Sequence, residues 1–226
     1  MLRGLRRIGW RLPTGVFHVK LHISPRAPNP RRVQMFLTEK GLSDLPIEIV
    51  PVAINTQEHH SPEFLAKNPV SRVPVLELDD GRFLGETRAI CTWFEGHHPE
   101  PNLMGRDADE RAFIEMHDRR AEFYVLLPIA NWIRHCHPGL APLEQPQFPA
   151  FGQSQGEKLP ALLRVFDTAL ASQPYWAGER FTIADITAFC AIEFARGLMK
   201  FRPSDAGLPH LQDWRDRINA RPSAKA

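Results

Sequence analysis

Cysteine is scarce in this chain of 226 residues, with only Cys91, Cys136 and Cys190 and no CxxC pair among them. Three widely spaced thiols do not make a disulfide framework, and the missing CxxC removes a dithiol redox motif. Both absences point to a reducing, cytoplasmic setting. Acidic residues are missing before Glu39, whereas Arg3, Arg6, Arg7, Arg11, Lys20, Arg26, Arg31 and Arg32 all precede it. The formal net charge is nevertheless only +2, so no nucleic-acid partner is expected. No segment is long and apolar enough to span a membrane. Residues 1–19, MLRGLRRIGWRLPTGVFHV, are basic and faintly amphipathic but lack the apolar core of a secretory signal. Their charge leaves a transit peptide open; the blander expectation is an N-terminal extension created by start-site choice.

What is present is enough for ordinary cores: the hydrophobic fraction is 43%, suited to one large domain or two small ones. Elements alternate from Lys20 to His98. Leu21-His22-Ile23 reads as a strand, Arg31 to Lys40 as a helix closed by Gly41, Ile47 to Val52 as a strand, and Ser61-Pro62 as a helix start. Residues 99–105 carry two prolines and a glycine and form the linker. From 106 to 226 the pattern is helical. Asp107 and Asp109 occupy a first turn, followed by apolar Phe113, Met116 and Tyr124; residues 138–149 form a proline-rich loop; a helix runs through Leu159 to Leu170; a last one carries Leu211, Trp214 and Ile218. Thr182 to Asp185 is a capping box with Phe181 and Ile186 as its staple, so Thr182 and Asp185 are assigned to folding rather than chemistry.

The densest information lies in Asn68 to Ile90, NPVSRVPVLELDDGRFLGETRAI. Val75, Leu76 and Leu78 form a strand, Asp79-Asp80-Gly81 a turn, and Phe83-Leu84 the returning strand. Gly85-Glu86-Thr87 opens a helix whose Ile90, Trp93 and Phe94 face a core. A helix start with a hydroxyl binds a carboxylate, and a neighbouring Glu86 holds an ammonium, so the pair suits the α-amino-acid end of a small molecule. A cis bond at Val73-Pro74 would turn the Val73 N–H and C=O outward to pair with an extended peptide. An amino-acid end joined to a short peptide describes glutathione. The competing reading makes Glu86 and Thr87 helix caps and Pro74 the start of an edge strand.

At these residues the chain resembles the glutathione S-transferase superfamily, of a bacterial, Nu-like or theta-like cytosolic type. PNPRRVQMFLTEKGL (28–42) resembles its first helix, SPEFLAKNP (61–69) the approach to its cis-proline, and WAGERFTIADITAF (176–189) its late buried helix. The resemblance implies an α/β thioredoxin-like N-terminal domain plus an all-α C-terminal domain, with the active site between them. It implies glutathione as co-substrate, an electrophilic small molecule as second substrate, a detoxification role and a homodimer. Val73, Pro74, Glu86 and Thr87 take the positions of its glutathione site; Arg72 and His59 take positions that reach the glycine carboxylate, with solvated-surface readings beside them. Tyr124, Trp132, Arg134 and His135 fall on the helices that wall its second, apolar pocket, Tyr124 having a plain core reading as well.

Such an enzyme needs glutathione's sulfur as thiolate. A thiol titrates near pH 8.5 unperturbed, and lowering that by about two units takes about 2.7 kcal/mol. One hydrogen bond to a charged group supplies roughly 1.5–3 kcal/mol, so one donor suffices. The family's activating Ser or Cys position falls on Ala27, which has no donor. Asn29, where some bacterial members including the Nu class place an asparagine, is the first candidate, with capping of the helix ahead of Pro30 as its other reading. Ser24 is the second. Ala27 also keeps open glutathione-dependent disulfide or peroxide reduction, and a glutathione- or ligand-binding protein without turnover. The histidines at 59–60, 97–98 and 135–137 are adjacent or two apart, a spacing unsuited to a shared helical metal site, so no metal is expected.

Overall fold

A computed structural model describes residues 18–25 and 27–226. The expected N-terminal extension lies outside the described residues, except for His18 and Val19.

Four strands form one mixed sheet in the order β2-β1-β3-β4. β1 (Val19–Ile23) pairs in parallel with β2 (Ile47–Pro51) and antiparallel with β3 (Val75–Glu77), which pairs antiparallel with β4 (Phe83–Leu84). The parallel β1–β2 connection needs a crossover, supplied by α1 (Pro28–Glu39). The β3–β4 turn is tight because Gly81 takes φ 79° and its N–H donates to the Leu78 carbonyl at 2.9 Å. This is the thioredoxin-like half. β1 and β3 bury Leu21, Val75 and Leu76 completely, and α1 and α3 (Thr87–His97) pack together with Val33, Phe36, Ile90 and Phe94 inside. Each such side chain is worth about 1.5–3 kcal/mol of burial.

The other half is helical: α4 (Ala108–Ala121), α5 (Leu127–Cys136), α6 (Pro149–Leu170), α7 (Ile183–Met199) and α8 (Pro209–Asn219). α7 is its axis. From Ile183 to Ile192 every side chain is buried, as the unbroken apolar run predicts. The capping box is present: Thr182 Oγ1 accepts from the Ala184 N–H, and Asp185 Oδ2 accepts from the Thr182 N–H at 2.9 Å. Asp185 Oδ1 also accepts from the Trp176 N–H at 2.8 Å and from Trp214 Nε1 at 2.9 Å, which ties α7 to α8. Burial pushes the Asp185 carboxyl up to about 6 against these three donors and the Thr182 hydroxyl.

Three sequence expectations shift. α1 begins at Pro28, three residues before Arg31, with Ala27 in the extended cap position and no side-chain cap. Pro28 and Pro30 both fit in its first turn, where the missing N–H groups have no intrahelical partner anyway. Asn29 therefore sits inside the helix, and its capping reading is overturned. In α4 the buried face is Ile114, Asp118 and Ala121, while Phe113 is 63% exposed, because a paired charge occupies the core position. Between α4 and α5 the helix widens into a π turn over Glu122–Leu126, immediately ahead of Pro128. A proline ring crowds the preceding turn and removes an N–H, and a wider turn accommodates both defects.

Replacing Asp185 by alanine strands buried donors of Thr182, Trp176 and Trp214. Stability is expected to fall by about 3 kcal/mol or more, read from urea unfolding followed by tryptophan fluorescence. A loss below about 0.5 kcal/mol would contradict the anchoring role.

Candidate active site

The loop between α2 (Pro62–Leu65) and β3 is fixed from beneath. Buried Asn68 donates Nδ2 to the Arg72 carbonyl at 2.8 Å and accepts from the Val70 N–H at 3.3 Å. Buried Ser71, at φ 54°, donates Oγ to the His59 carbonyl at 2.6 Å. Val73 follows with a cis bond to Pro74, beyond the last β1–β3 pair, His22–Val75. Across from it, Glu86 is exposed at φ 62° and ψ 119°, a strained position for a residue with a Cβ. Thr87 is buried and opens α3, whose first-turn N–H groups carry the positive end of the helix.

Asn29 projects from the first turn of α1. Its Oδ1 accepts from Arg32 Nη1 at 3.1 Å, and the same nitrogen donates to Glu122 Oε1 at 3.1 Å. Arg32 is 1% exposed. Its Nη2 donates to Thr187 Oγ1 at 2.9 Å, and Thr187 donates onward to Asp118 Oδ1 at 2.5 Å. Asp118 also meets Arg88 Nε at 3.2 Å and Arg119 Nη2 at 3.0 Å.

These pieces converge on one cavity of ≈ 510 Å³. Asn29, Arg72, Val73, Pro74, Glu86 and Thr87 form one wall. The helical half supplies Glu122, Leu126 and Leu127 near the π turn, then Ala130, Asn131, Arg134 and His135 from α5, and Glu144 from the following loop. Arg134 Nη1 donates to Glu144 Oε2 at 2.9 Å. His135 Nδ1 accepts from the Phe148 N–H at 3.1 Å, so a neutral ring carries its proton on Nε2. Partial desolvation, then nearby Arg134, lowers the Arg72 pKa below the usual guanidinium value.

The structure brings together eight of the sequence-named residues and leaves four outside the cavity lining. Ser24 is buried at the end of β1, its carbonyl accepting from the Ala27 N–H at 3.3 Å. His59 is buried behind the Ser71 loop, which overturns its solvated-surface reading. Tyr124 is 55% exposed on the outer side of the π turn, so its core reading fails too. Trp132 turns toward α6, where a Cβ on Gly156 would come within 2.7 Å of the indole. The helical wall, expected to be apolar, carries Glu122, Asn131, Arg134, His135 and Glu144 beside Leu126, Leu127 and Ala130. Sequence reading missed Glu122, which belongs to the π turn itself, and Asn131, on the face of α5 that follows from that turn. The chain's own thiols take no part: Cys91 and Cys190 are buried, their pKa values pushed up to about 12 and about 11, and Cys136 is not among the lining residues.

Residues 21–102 match the family model described as glutathione S-transferase, N-terminal domain, and residues 145–222 match glutathione S-transferase, C-terminal domain. Glutathione S-transferase 2 of Saccharomyces cerevisiae is 36% identical over 206 residues, 91% of this chain and 87% of that protein. The chain belongs to the glutathione S-transferase family. A solved glutathione S-transferase domain-containing protein from Marinobacter aquaeolei is 39% identical with a TM-score of 0.85, covering 90% of this chain and 98% of its own. Glutathione S-transferase-I, solved with the ligand lactoylglutathione, is 25% identical with a TM-score of 0.76, covering 92% and 96%.

His59 gives this transferase a pH dependence. Burial first, then His60, Arg72 and Arg134, lowers its pKa below 6.5. The unfolded chain thus takes up the proton at higher pH than the folded one. The resulting stability is fully present above 6.5 and is lost as pH falls through the lower, folded value. The advantage in thermal midpoint of the parent over His59→Gln is expected to be smaller at about pH 5 than at about pH 7.5, a difference that leaves out the opposing titration of Asp185. An identical pH profile for the variant would remove His59 from the effect.

Proposed function

We propose that glutathione lies extended along Val73, with its γ-glutamyl carboxylate on Thr87 and the start of α3, its ammonium on Glu86, and its glycine carboxylate toward Arg72. Asn29 donates to the sulfur and holds it as thiolate once its proton has passed to solvent. That thiolate attacks an electrophilic carbon of a small molecule, forming the C–S bond of a thioether as the carbon's leaving group departs with its bonding electron pair. What carries this reading is the convergence of Asn29, Val73, Glu86 and Thr87 on one cavity from three separate elements. The lactoylglutathione bound to the 25%-identical relative supports a glutathione-shaped occupant. The electrophile's apolar part rests against Leu126, Leu127 and Ala130, and its polar substituents meet Asn131 and Arg134. The same reading divides the chain into a glutathione-binding part at 20–98, a linker at 99–105 and a helical part at 106–226. In support, α3 ends at His97 and α4 begins at Ala108.

A homodimer working in detoxification in the cytoplasm completes the proposal. Exposed Phe113, Phe123 and Val70 give the dimer apolar surface to cover, and the scattered thiols suit a reducing compartment. Sedimentation at micromolar concentration is expected to give twice the chain mass; a monomer would remove that part. Calorimetry with glutathione is expected to show binding, weakened at least about tenfold in a Glu86→Ala, Thr87→Ala double variant, since each lost charge-assisted contact is worth about 1.5–3 kcal/mol. Equal binding by the double variant would sink the placement. Conjugation of chlorodinitrobenzene is expected to exceed mixed-disulfide reduction; the reverse ranking would favour the reductase reading.

A further inference from the structure

The Asn29 amide has two opposite ends, an acceptor oxygen and a donor NH2, and only the donor end stabilises a thiolate. Which end faces the cavity is therefore decisive for the thiolate reading above, on which this inference rests. Arg32 settles the choice, because a guanidinium has donors and no acceptor. With Arg32 Nη1 at 3.1 Å from Asn29 Oδ1, a flipped amide would set N–H against N–H and forfeit a charge-assisted bond. Asn29 lines the cavity, and among the described residues its Nδ2 has no protein partner.

Arg32 itself has no freedom to turn away. It is 1% exposed and held from three other elements: Glu122 in the π turn at 3.1 Å, Thr187 in α7 at 2.9 Å, and Asp118 in α4 at 4.0 Å. It also acts on the cavity's charge. Glu122 lines the same cavity as Asn29, and its bare carboxylate would oppose a nearby thiolate. Arg32 on Oε1 and Arg119 on Oε2 neutralise it.

We propose that Arg32 is the positioning residue of the thiolate site, gripping the Asn29 carbonyl so that the amide donor faces the glutathione sulfur, and masking Glu122 behind it. Arg32 does not touch the substrate.

The test reads the thiol titration of bound glutathione by thiolate ultraviolet absorbance, with affinity followed separately by calorimetry. Asn29→Ala is expected to raise the midpoint by about 1–2 pH units, the size of one charge-assisted hydrogen bond. Arg32→Met is expected to raise it at least as much, while glutathione still binds. In the Asn29→Ala background Arg32→Met adds less than it does alone, leaving only the Glu122 part. Should Arg32→Met fail to fold, Thr187→Val loosens the guanidinium without touching Asn29 and is expected to raise the midpoint by a smaller step. An unchanged midpoint in Asn29→Ala would defeat the thiolate reading itself. A shifted midpoint in Asn29→Ala, with none in Arg32→Met or, where that does not fold, none in Thr187→Val, would defeat only the positioning role. A fully additive double variant would do the same.

Discussion

A single guanidinium sealed between the two halves governs how the cavity is built. Arg32 leaves α1 and meets side chains from α4, the π turn and α7. A buried cation is tolerable only when its partners surround it, and removing one partner leaves an uncompensated charge. The pairing is therefore all or none, and α1 has one admissible seat on the helical half. Around this centre lies Arg31 on the Ala224 carbonyl at 2.7 Å, while Lys40 ties α1 to Glu95 of α3 at 2.7 Å and to the Pro101 carbonyl of the linker at 2.8 Å. Arg221 adds a forked pair to Glu39 at 2.7 and 2.6 Å. Cations on the sheet-bearing half and near the C-terminus thus stitch a seam that apolar packing alone would leave free to slide.

The rest of the cavity inherits its precision from that seam. The Val73 loop is set by Asn68 and Ser71, both buried, and Glu86 is held in a backbone conformation that only a surrounding structure can impose. Those features belong to the sheet-bearing half. Asn29 belongs to the same half by sequence, yet its amide is oriented by a residue anchored in the other. On the proposed reading, binding and activation of a thiol are divided: one half offers a docking edge, and the contact between halves offers the donor.

Much of this was legible in the chain because the signals are local. The Val73-Pro74 junction, the Asp-Gly turn, the Gly85-Glu86-Thr87 helix start and the Thr182 capping box each declare themselves within a few residues, and each stands where expected. Three things were hidden. The start of α1 was ambiguous because Pro28 and Pro30 suit a first helical turn equally well, and only tertiary packing chose between them. The inner face of α4 was misread because its central buried residue is Asp118, whose partner Thr187 lies 69 positions away. The π turn, finally, resets the face of α5 relative to α4, and a resemblance that places Tyr124 and Trp132 on the pocket helices does not say which faces of those helices turn inward; Glu122 and Asn131 line the cavity instead.

The two glycines of α6, Gly152 and Gly156, have a wider effect. A Cβ on Gly152 would lie 2.6 Å from Cys136 Sγ and 2.9 Å from His135 Cβ, and one on Gly156 would strike the Trp132 ring. α5 and α6 are consequently wedged together at close to main-chain distance, and a helix so confined cannot swing to admit a bulkier guest. On the proposed reading, adaptation to differently shaped acceptors then falls to rotamers of Arg134, His135 and Leu127 and to the proline-rich stretch holding Glu144. Divergence in acceptor preference among proteins built this way should accumulate at those few positions while the helix pair behind them stays put.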